Sequence, residues 1–322
     1  MVSTDLRNVE WGDVVEAIER CYELGWTDGL PVVPPTVERV QQFIDYAQRP
    51  ADEVLGAVPE RRREINVAKV AANAVMAGCL PEYFPVVIAA TEAMLTKEFN
   101  LIAPSSSQGG AAVLVIVNGP ISRELDINSK GNLFGPGNRA NATIGRAIRL
   151  ILMNACASIP GLFDRTLIGH PGKYTYCIAE NELETHWTPL HVERGFSVDQ
   201  STVTVFAAWE PRQVRAAAVR QAVLDSVVDV ASVLGTSLAN DDSVGDHTIP
   251  VRQGQIVLTI GGASEFWDGW SKDDVRAYLH PRIRRFFRQH LNLYILYYTP
   301  ILGFSEIIRY QNGITYQAQK PP

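Results

Sequence analysis

The chain has 322 residues, of which 46% are hydrophobic and 20% are charged, with a formal net charge of −6. This balance is typical of a globular protein with an apolar core and excludes a disordered chain. The negative charge argues against a nucleic-acid-binding protein, because phosphate contacts need lysine and arginine. We expect one large α/β domain, 1–322, or a subdivision into 1–165 and 166–322.

The sequence gives no indication of a membrane span or a signal peptide. It has no run of 18 apolar residues, and acidic residues occupy the N-terminal region where a signal peptide needs an apolar stretch. We therefore expect a cytoplasmic protein with no membrane partner. Its four cysteines are far apart and form no C-x-x-C pair, which argues against a disulfide framework or a zinc ribbon.

The first half of the chain is predicted to be mainly helical. Thr36 is placed to cap one helix, and Gly78 and Pro81 separate two others. The continuous apolar run 111–117 predicts a buried strand. Apolar residues at helical spacing predict helices over 10–24, 37–47, 65–77, 82–96 and 138–155.

Strands alternate with helices in the second half. Ser271 and Asp274 predict a capping box at the start of the last helix. The order of elements predicts a mixed α/β fold, in which a helical N-terminal part precedes strands and helices around a mixed sheet. The other elements are expected at 174–179, 202–208 and 255–260 for strands and 212–234 for a helix.

The segment 169–195 is the densest candidate for chemistry, since it holds three of the six histidines together with cysteine and glutamates. Imidazole, thiolate and carboxylate groups bind metals, and histidine and glutamate also transfer protons. We interpret His170 and Glu180 as acid/base catalysts. Alternatively, His170, Cys177, Glu180 and His191 bind a divalent metal, or the segment is a strand end followed by a solvated acidic loop.

The alternation of a strand places these groups on two faces. If 174–182 is extended, Glu180 shares a face with Tyr176, while Cys177 and Asn181 share the other. We assign Asn181 and Lys173 to substrate binding.

Cys79 is the candidate nucleophile. It lies just before a predicted helix, where backbone N–H groups and the helix dipole lower the pKa of a thiol and favour the thiolate. The alternative is a small buried residue that fills a corner between two helices.

A glycine-rich loop before a helix is the candidate anion site. Gly135, Gly137, Asn138 and Arg139 occupy the loop and the start of the helix, and Arg146 follows two turns later. Free N–H groups and guanidinium groups bind carboxylate or phosphate. The alternative is a turn with Asn138 as the helix cap. We expect no dinucleotide cofactor, because the loop does not directly follow a strand.

An acidic segment, 241–247, has two interpretations. Its aspartates and histidine are potential metal ligands, although such a segment is more often a solvated turn.

Five segments resemble an uncharacterised bacterial family associated with proteins that carry a UGSC motif, with selenocysteine or cysteine. The resemblance spans most of the chain, and the matching segments are long enough to be specific. These segments are 25–31, 76–83, 135–146, 170–174 and 268–275. It implies no particular reaction. The association with redox-active selenium or sulfur strengthens the expectation of thiol or metal chemistry at Cys79 and of a redox partner protein.

The sequence predicts an enzyme that acts on a small anionic molecule, as a lyase or hydrolase that cleaves or forms a carbon–heteroatom bond. Thiol, histidine, glutamate and an anion clamp suit such a reaction, with or without a metal. The alternative is a non-catalytic subunit that binds a small ligand within a redox or selenoprotein-type complex. We expect a homo-oligomer, because tyrosines near the C-terminus form a surface for self-association if they are exposed. The alternative is that they belong to the core.

Overall fold

The structure, a computed structural model, describes residues 13–214, 218–239, 254–261, 264–283, 291–297 and 305–317. Helices dominate the first part of the chain. The elements up to residue 124 are α1 (Val14–Glu23), α2 (Val37–Ala47), β1 (Val54–Val58), β2 (Arg63–Asn66), α3 (Val67–Ala77), α4 (Phe84–Leu95), α5 (Ile102–Ser106), β3 (Ala112–Asn118) and α6 (Pro120–Glu124).

Strands and helices alternate in the rest of the chain. The elements are α7 (Arg139–Leu150), β4 (Cys177–Ala179), α8 (Leu190–Glu193), β5 (Thr202–Ala208), β6 (Arg212–Val214), α9 (Arg220–Ala239), β7 (Gly254–Ile260), α10 (Lys272–Ile283), β8 (Leu291–Tyr297) and β9 (Ser305–Gln317). The segment 241–247 lies outside the described residues.

One large sheet connects the two parts. Its strand order is β4-β3-β5-β9-β7-β8, and β6 pairs with β9. The pairs β3/β4 and β7/β8 are parallel, while β5 and β9 pair antiparallel with their neighbours. This confirms the mixed α/β fold around a mixed sheet. Strands from both sides of residue 165 belong to this sheet, and the division into domains stays a prediction.

The start of the helix predicted over 212–234 is wrong. Residues 212–214 form β6, which pairs with β9 through Arg212↔Ile307 and Val214↔Ser305. The helix α9 begins only at Arg220. Pairing with a strand about 90 residues away therefore determines this segment, and no local pattern contains that information.

Alternate residues of β3 lie in different parts of the core. Val115 and Val117 belong to an apolar cluster with the buried residues of α3, α4 and α7. Leu114 and Ile116 belong to a second cluster, because successive side chains of a strand point to opposite faces. A third cluster surrounds Trp267 and includes residues of α9 and α10.

The carboxyl ends of β3 and β4 position the candidate site. Since these two strands are parallel, their ends meet at one edge of the sheet, where ligand sites of α/β proteins form. Asn118 ends β3, and Glu180 directly follows β4. Within the described ranges, no helix is long and apolar enough to span a membrane.

Candidate functional site

Four charged side chains of alternating sign form a chain from the interior to the surface, which we call the ion chain: Glu180, Lys272, Glu193 and Arg276. Lys272 Nζ donates to Glu180 Oε1 and to Glu193 Oε2, both at 3.2 Å. Arg276 Nη2 donates to Glu193 Oε1 at 2.8 Å. The side-chain exposures are 0%, 4%, 21% and 30% in that order, so the charges lead outward from the sheet edge.

Helix ends hold the ion chain in place. Glu180 Oε2 accepts from the backbone N–H of Leu190 at 2.8 Å, at the start of α8. Ser271 caps α10 as predicted, because the Asp274 backbone N–H donates to Ser271 Oγ and the Ser271 backbone N–H donates to Asp274 Oδ2. Lys272 is the first residue of α10, so this cap fixes the backbone from which its side chain reaches Glu180.

A layer of buried polar groups lies behind Glu180. Asn118 Nδ2 donates to Glu180 Oε2 and to Glu182 Oε1, each at 2.8 Å. Glu182 Oε1 also accepts from the Gly119 backbone N–H at 2.8 Å and lies 3.5 Å from His191 Nδ1. Asn118 and His191 are fully buried. Burial and hydrogen bonding of this kind keep Glu180 in one position.

A cleft of about 440 Å³ opens beside the ion chain. Lys272, Glu193 and Arg276 lie on its wall together with Trp187 and Trp270. Trp187 Nε1 donates to the Trp270 carbonyl oxygen at 2.6 Å, which connects the two segments that contain these tryptophans. A cleft of this size with apolar rings and a few fixed polar groups has the character of a small-molecule site.

Sequence reasoning identified Glu180 but missed Lys272, Glu193, Arg276 and the cleft. In the sequence the segment 268–275 is distinguished only by its capping box and its family resemblance, although it contains Lys272 and lines the cleft. A lysine that follows a capping serine looks solvent-exposed in the sequence. Its burial depends on a contact with a residue 92 positions away.

The expectation that the Cys79 thiol has a lowered pKa is wrong. Burial raises its pKa from an ordinary 9.0 to about 12, and the hydrogen bond with Thr143 and the charge of Arg139 offset this only in part. Cys79 lies in the apolar cluster between helices. The alternative interpretation, a buried residue in an inter-helix corner, describes this environment, although a catalytic role stays a prediction.

Alkylation should reveal this pKa. A thiol with a pKa of about 12 instead of 9.0 has about 1,000-fold less thiolate at pH 8. We expect iodoacetamide to label Cys79 at least that much more slowly in the native protein than in the urea-unfolded chain, with rates read for each cysteine by peptide mass spectrometry. Equal rates at Cys79 in the two states would contradict the environment described here.

The four predicted metal ligands do not come together. Cys177 packs in the apolar cluster of α3, α4 and α7, whereas its neighbour Tyr176 belongs to the cluster on the other face, as the alternation predicted. His170 meets Tyr176 edge to face, with ring centroids 5.7 Å apart, and Glu180 binds Lys272. No group of three histidine, cysteine, aspartate or glutamate side chains in the described part of the chain is arranged for a metal.

His170 and Cys79 have different neighbours. It accepts from the Gly172 backbone N–H at 3.2 Å through Nδ1, and burial lowers the pKa of its imidazole despite the opposing charge of Glu210. Cys79 instead lies beside Thr143 and Arg139 of α7. Of the three predicted catalytic residues, therefore, only Glu180 belongs to the ion chain.

The three cationic side chains predicted to bind an anion instead contact acceptors within the protein. Arg146 forms two hydrogen bonds of 2.8 Å with Asp28, whose side chain is 2% exposed. Arg139 Nη2 donates to the Gly78 carbonyl oxygen at 3.0 Å, and Lys173 Nζ lies 2.9 Å from Asp164. The contacts of Arg146 and Arg139 connect distant segments of the chain.

The glycine-rich loop forms a turn that leads into a cap. Asn138 Oδ1 accepts from the Asn141 backbone N–H at 2.9 Å, as the capping alternative predicted. Gly137 has a φ of 117°, and a Cβ atom at Gly135 would overlap the Asn132 side chain. Asn181, the remaining residue predicted to bind substrate, follows Glu180 in the sequence. Its side chain is buried, and it does not line the cleft.

Comparisons with protein-family models, with curated proteins and with solved structures found no match to this chain. The family resemblance therefore stays a prediction, and the site must be interpreted from its own geometry.

Proposed function

We propose that the protein is an enzyme that binds a small anionic molecule in the cleft and cleaves or forms a carbon–heteroatom bond, as a lyase or hydrolase. The position of Lys272 supports this most directly. An ammonium group has three N–H donors, and Glu180 and Glu193 accept two of them. Among the described residues the third has no acceptor, so it is available to an oxygen atom of a ligand in the cleft.

Lys272 has the main chemical role in this proposal. A fixed ammonium group stabilises negative charge that develops on an oxygen or another heteroatom in the transition state. Its orientation is fixed before the ligand arrives, because both carboxylates already hold it. Glu193, which is 21% exposed and lines the cleft, is the general base in this proposal.

Glu180 acts as a positioning residue. Its side chain is fully buried, so it contacts Lys272 and not the ligand. The two indoles supply an apolar wall for the rest of the molecule, and Trp187 also packs on Trp267 with ring centroids 5.6 Å apart. The cleft therefore combines a hydrogen-bond donor for an anion, Lys272, with an aromatic wall.

A panel of small carboxylates and phosphates tests the proposal. Each compound is screened for binding by thermal shift and for turnover by proton NMR, and hits are repeated with variants. We expect Lys272→Gln to weaken binding about 10- to 100-fold and to abolish turnover, because a hydrogen bond to a charged group is lost. Lys272→Arg keeps the charge and should retain part of the binding.

Lys130→Gln is the matched control. Lys130 also binds a carboxylate, Glu184, at 2.8 Å, but its side chain is 63% exposed and lies outside the cleft lining. Arg276→Gln changes a less buried member of the ion chain and covers the case in which Lys272→Gln does not fold. Turnover that is equal in wild type and Lys272→Gln would overturn the proposal. Binding without turnover for every bound ligand would favour the ligand-binding subunit instead.

A further inference from the structure

A second group of charges lies around Asp164, on elements other than those of the cleft. Asp164 is 3% exposed, and its Oδ2 accepts from Arg149 Nη1 at 3.1 Å and lies 2.9 Å from Lys173 Nζ. Its Oδ1 accepts from Thr166 Oγ1 at 2.6 Å. The Arg149 and Lys173 side chains are only 12% and 13% exposed. One carboxylate thus faces two cations with little access to water.

A third cation adds to this excess. Arg61 donates to the carbonyl oxygen of Cys156 at 3.0 Å and to Ser105 Oγ at 2.8 Å. Burial lowers the pKa of Arg61, and the charges of Glu60 and Asp164 oppose that change, so both carboxylates are near. Glu60 is exposed to solvent, and its charge is therefore partly screened.

A small cavity adjoins two of these cations, Arg149 and Lys173, and the third, Arg61, reaches its wall through Ser105. It has a volume of about 20 Å³ and lies between α5, β3 and α7. Arg149 and Lys173 lie on its wall with Ser105 and Ser158, and most of the remaining wall is apolar. A volume above about 10–15 Å³ accommodates one water-sized species.

We propose that this cavity binds one monovalent anion of the size of chloride. Arg149 and Lys173 share one buried carboxylate, so their positive charge exceeds the negative charge that faces them, and a buried charge that is only partly compensated raises the free energy of the folded state. An anion in the cavity removes part of this excess. The volume admits a monatomic halide and is too small for sulfate or for a substrate-sized anion, so the site is distinct from the cleft.

Thermal unfolding at constant ionic strength tests the site, with sodium chloride replaced stepwise by sodium gluconate. A ligand that binds only the folded state raises the midpoint in a saturable way. We expect such a rise with chloride in the wild-type protein. Lys173→Met should weaken the apparent chloride affinity about 10- to 100-fold, because one charged donor is lost. Asp164→Asn should strengthen it, because the competing carboxylate is gone.

A bromide-soaked crystal of the wild-type protein gives a second test that does not depend on the folding of any variant. Bromide should give an anomalous peak in the cavity, within contact distance of Arg149 and Lys173. Lys130→Met is the control for nonspecific salt effects, because Lys130 is exposed and distant in sequence. A chloride-independent midpoint, or a crystal whose cavity holds only water, would overturn the proposal.

Discussion

Replacing Lys272 by methionine is expected to lower the free energy of unfolding by about 3–5 kcal/mol. The change leaves Glu180 as a carboxylate in the interior without its cation, and breaking one partner of a buried pair has a cost of this size. Glu180 keeps its hydrogen bonds from Asn118 and the Leu190 N–H, which prevents a larger effect. Urea-induced unfolding followed by tryptophan fluorescence measures the change.

The double variant Lys272→Met/Glu180→Gln separates the lost charge pair from lost packing. Because it removes both charges, we expect it to be more stable than Lys272→Met alone. Lys130→Met, at an exposed pair, should change the unfolding free energy by about 1 kcal/mol or less. If Lys272→Met cost no more than Lys130→Met, the ion chain would not be buried as described.

Replacing Gly119 by alanine is expected to destabilise the protein by about 3 kcal/mol or more. Gly119 has a φ of 83°, and a Cβ atom there would overlap the Gln200 carbonyl oxygen and lie 2.9 Å from Ser201 Cα. The strained backbone costs about 1–3 kcal/mol, and forcing the main chains apart adds a similar amount. Movement of this turn also displaces the N–H that binds Glu182.

Gly195→Ala is the matched control for this variant. Gly195 has a similar φ of 90°, but no atom lies within 4 Å of the position of its Cβ. It should therefore show only the conformational cost, about 1–2 kcal/mol. Chemical denaturation of both variants isolates the contact at Gly119. Equal losses for the two would mean that the turn at Gly119 does not approach residues 200–201 this closely.

Local sequence patterns predict the elements that local physics determines. Helix α2 begins and ends where the pattern places it, and Thr36 caps it by accepting from the Arg39 backbone N–H at 3.4 Å. Strand β5 coincides with its apolar run 202–208, and Tyr176 and Cys177 lie in separate core clusters as alternation requires. Each of these features depends on residues a few positions apart.

The site was predicted less well, because it depends on contacts over long sequence distances. In the sequence Arg146 resembles an anion-binding residue, but its guanidinium group binds the carboxylate of Asp28, which is 118 residues away. Cys79 precedes a predicted helix, a position that lowers the pKa of a thiol, but α4 begins only at Phe84, and tertiary burial raises the pKa of Cys79. The capping box predicts where α10 begins, whereas the burial of Lys272 follows only from the position of β4.

A crystal structure of the protein in complex with a carboxylate or phosphate that the panel identifies as a substrate tests the central claim. This claim is that the cleft beside Lys272 is the substrate site. Our account predicts density between Trp270 and the ion chain, with an acidic oxygen of the ligand about 2.7–3.2 Å from Lys272 Nζ. A ligand bound instead at Cys79 and Arg139, with the cleft unoccupied, would contradict it.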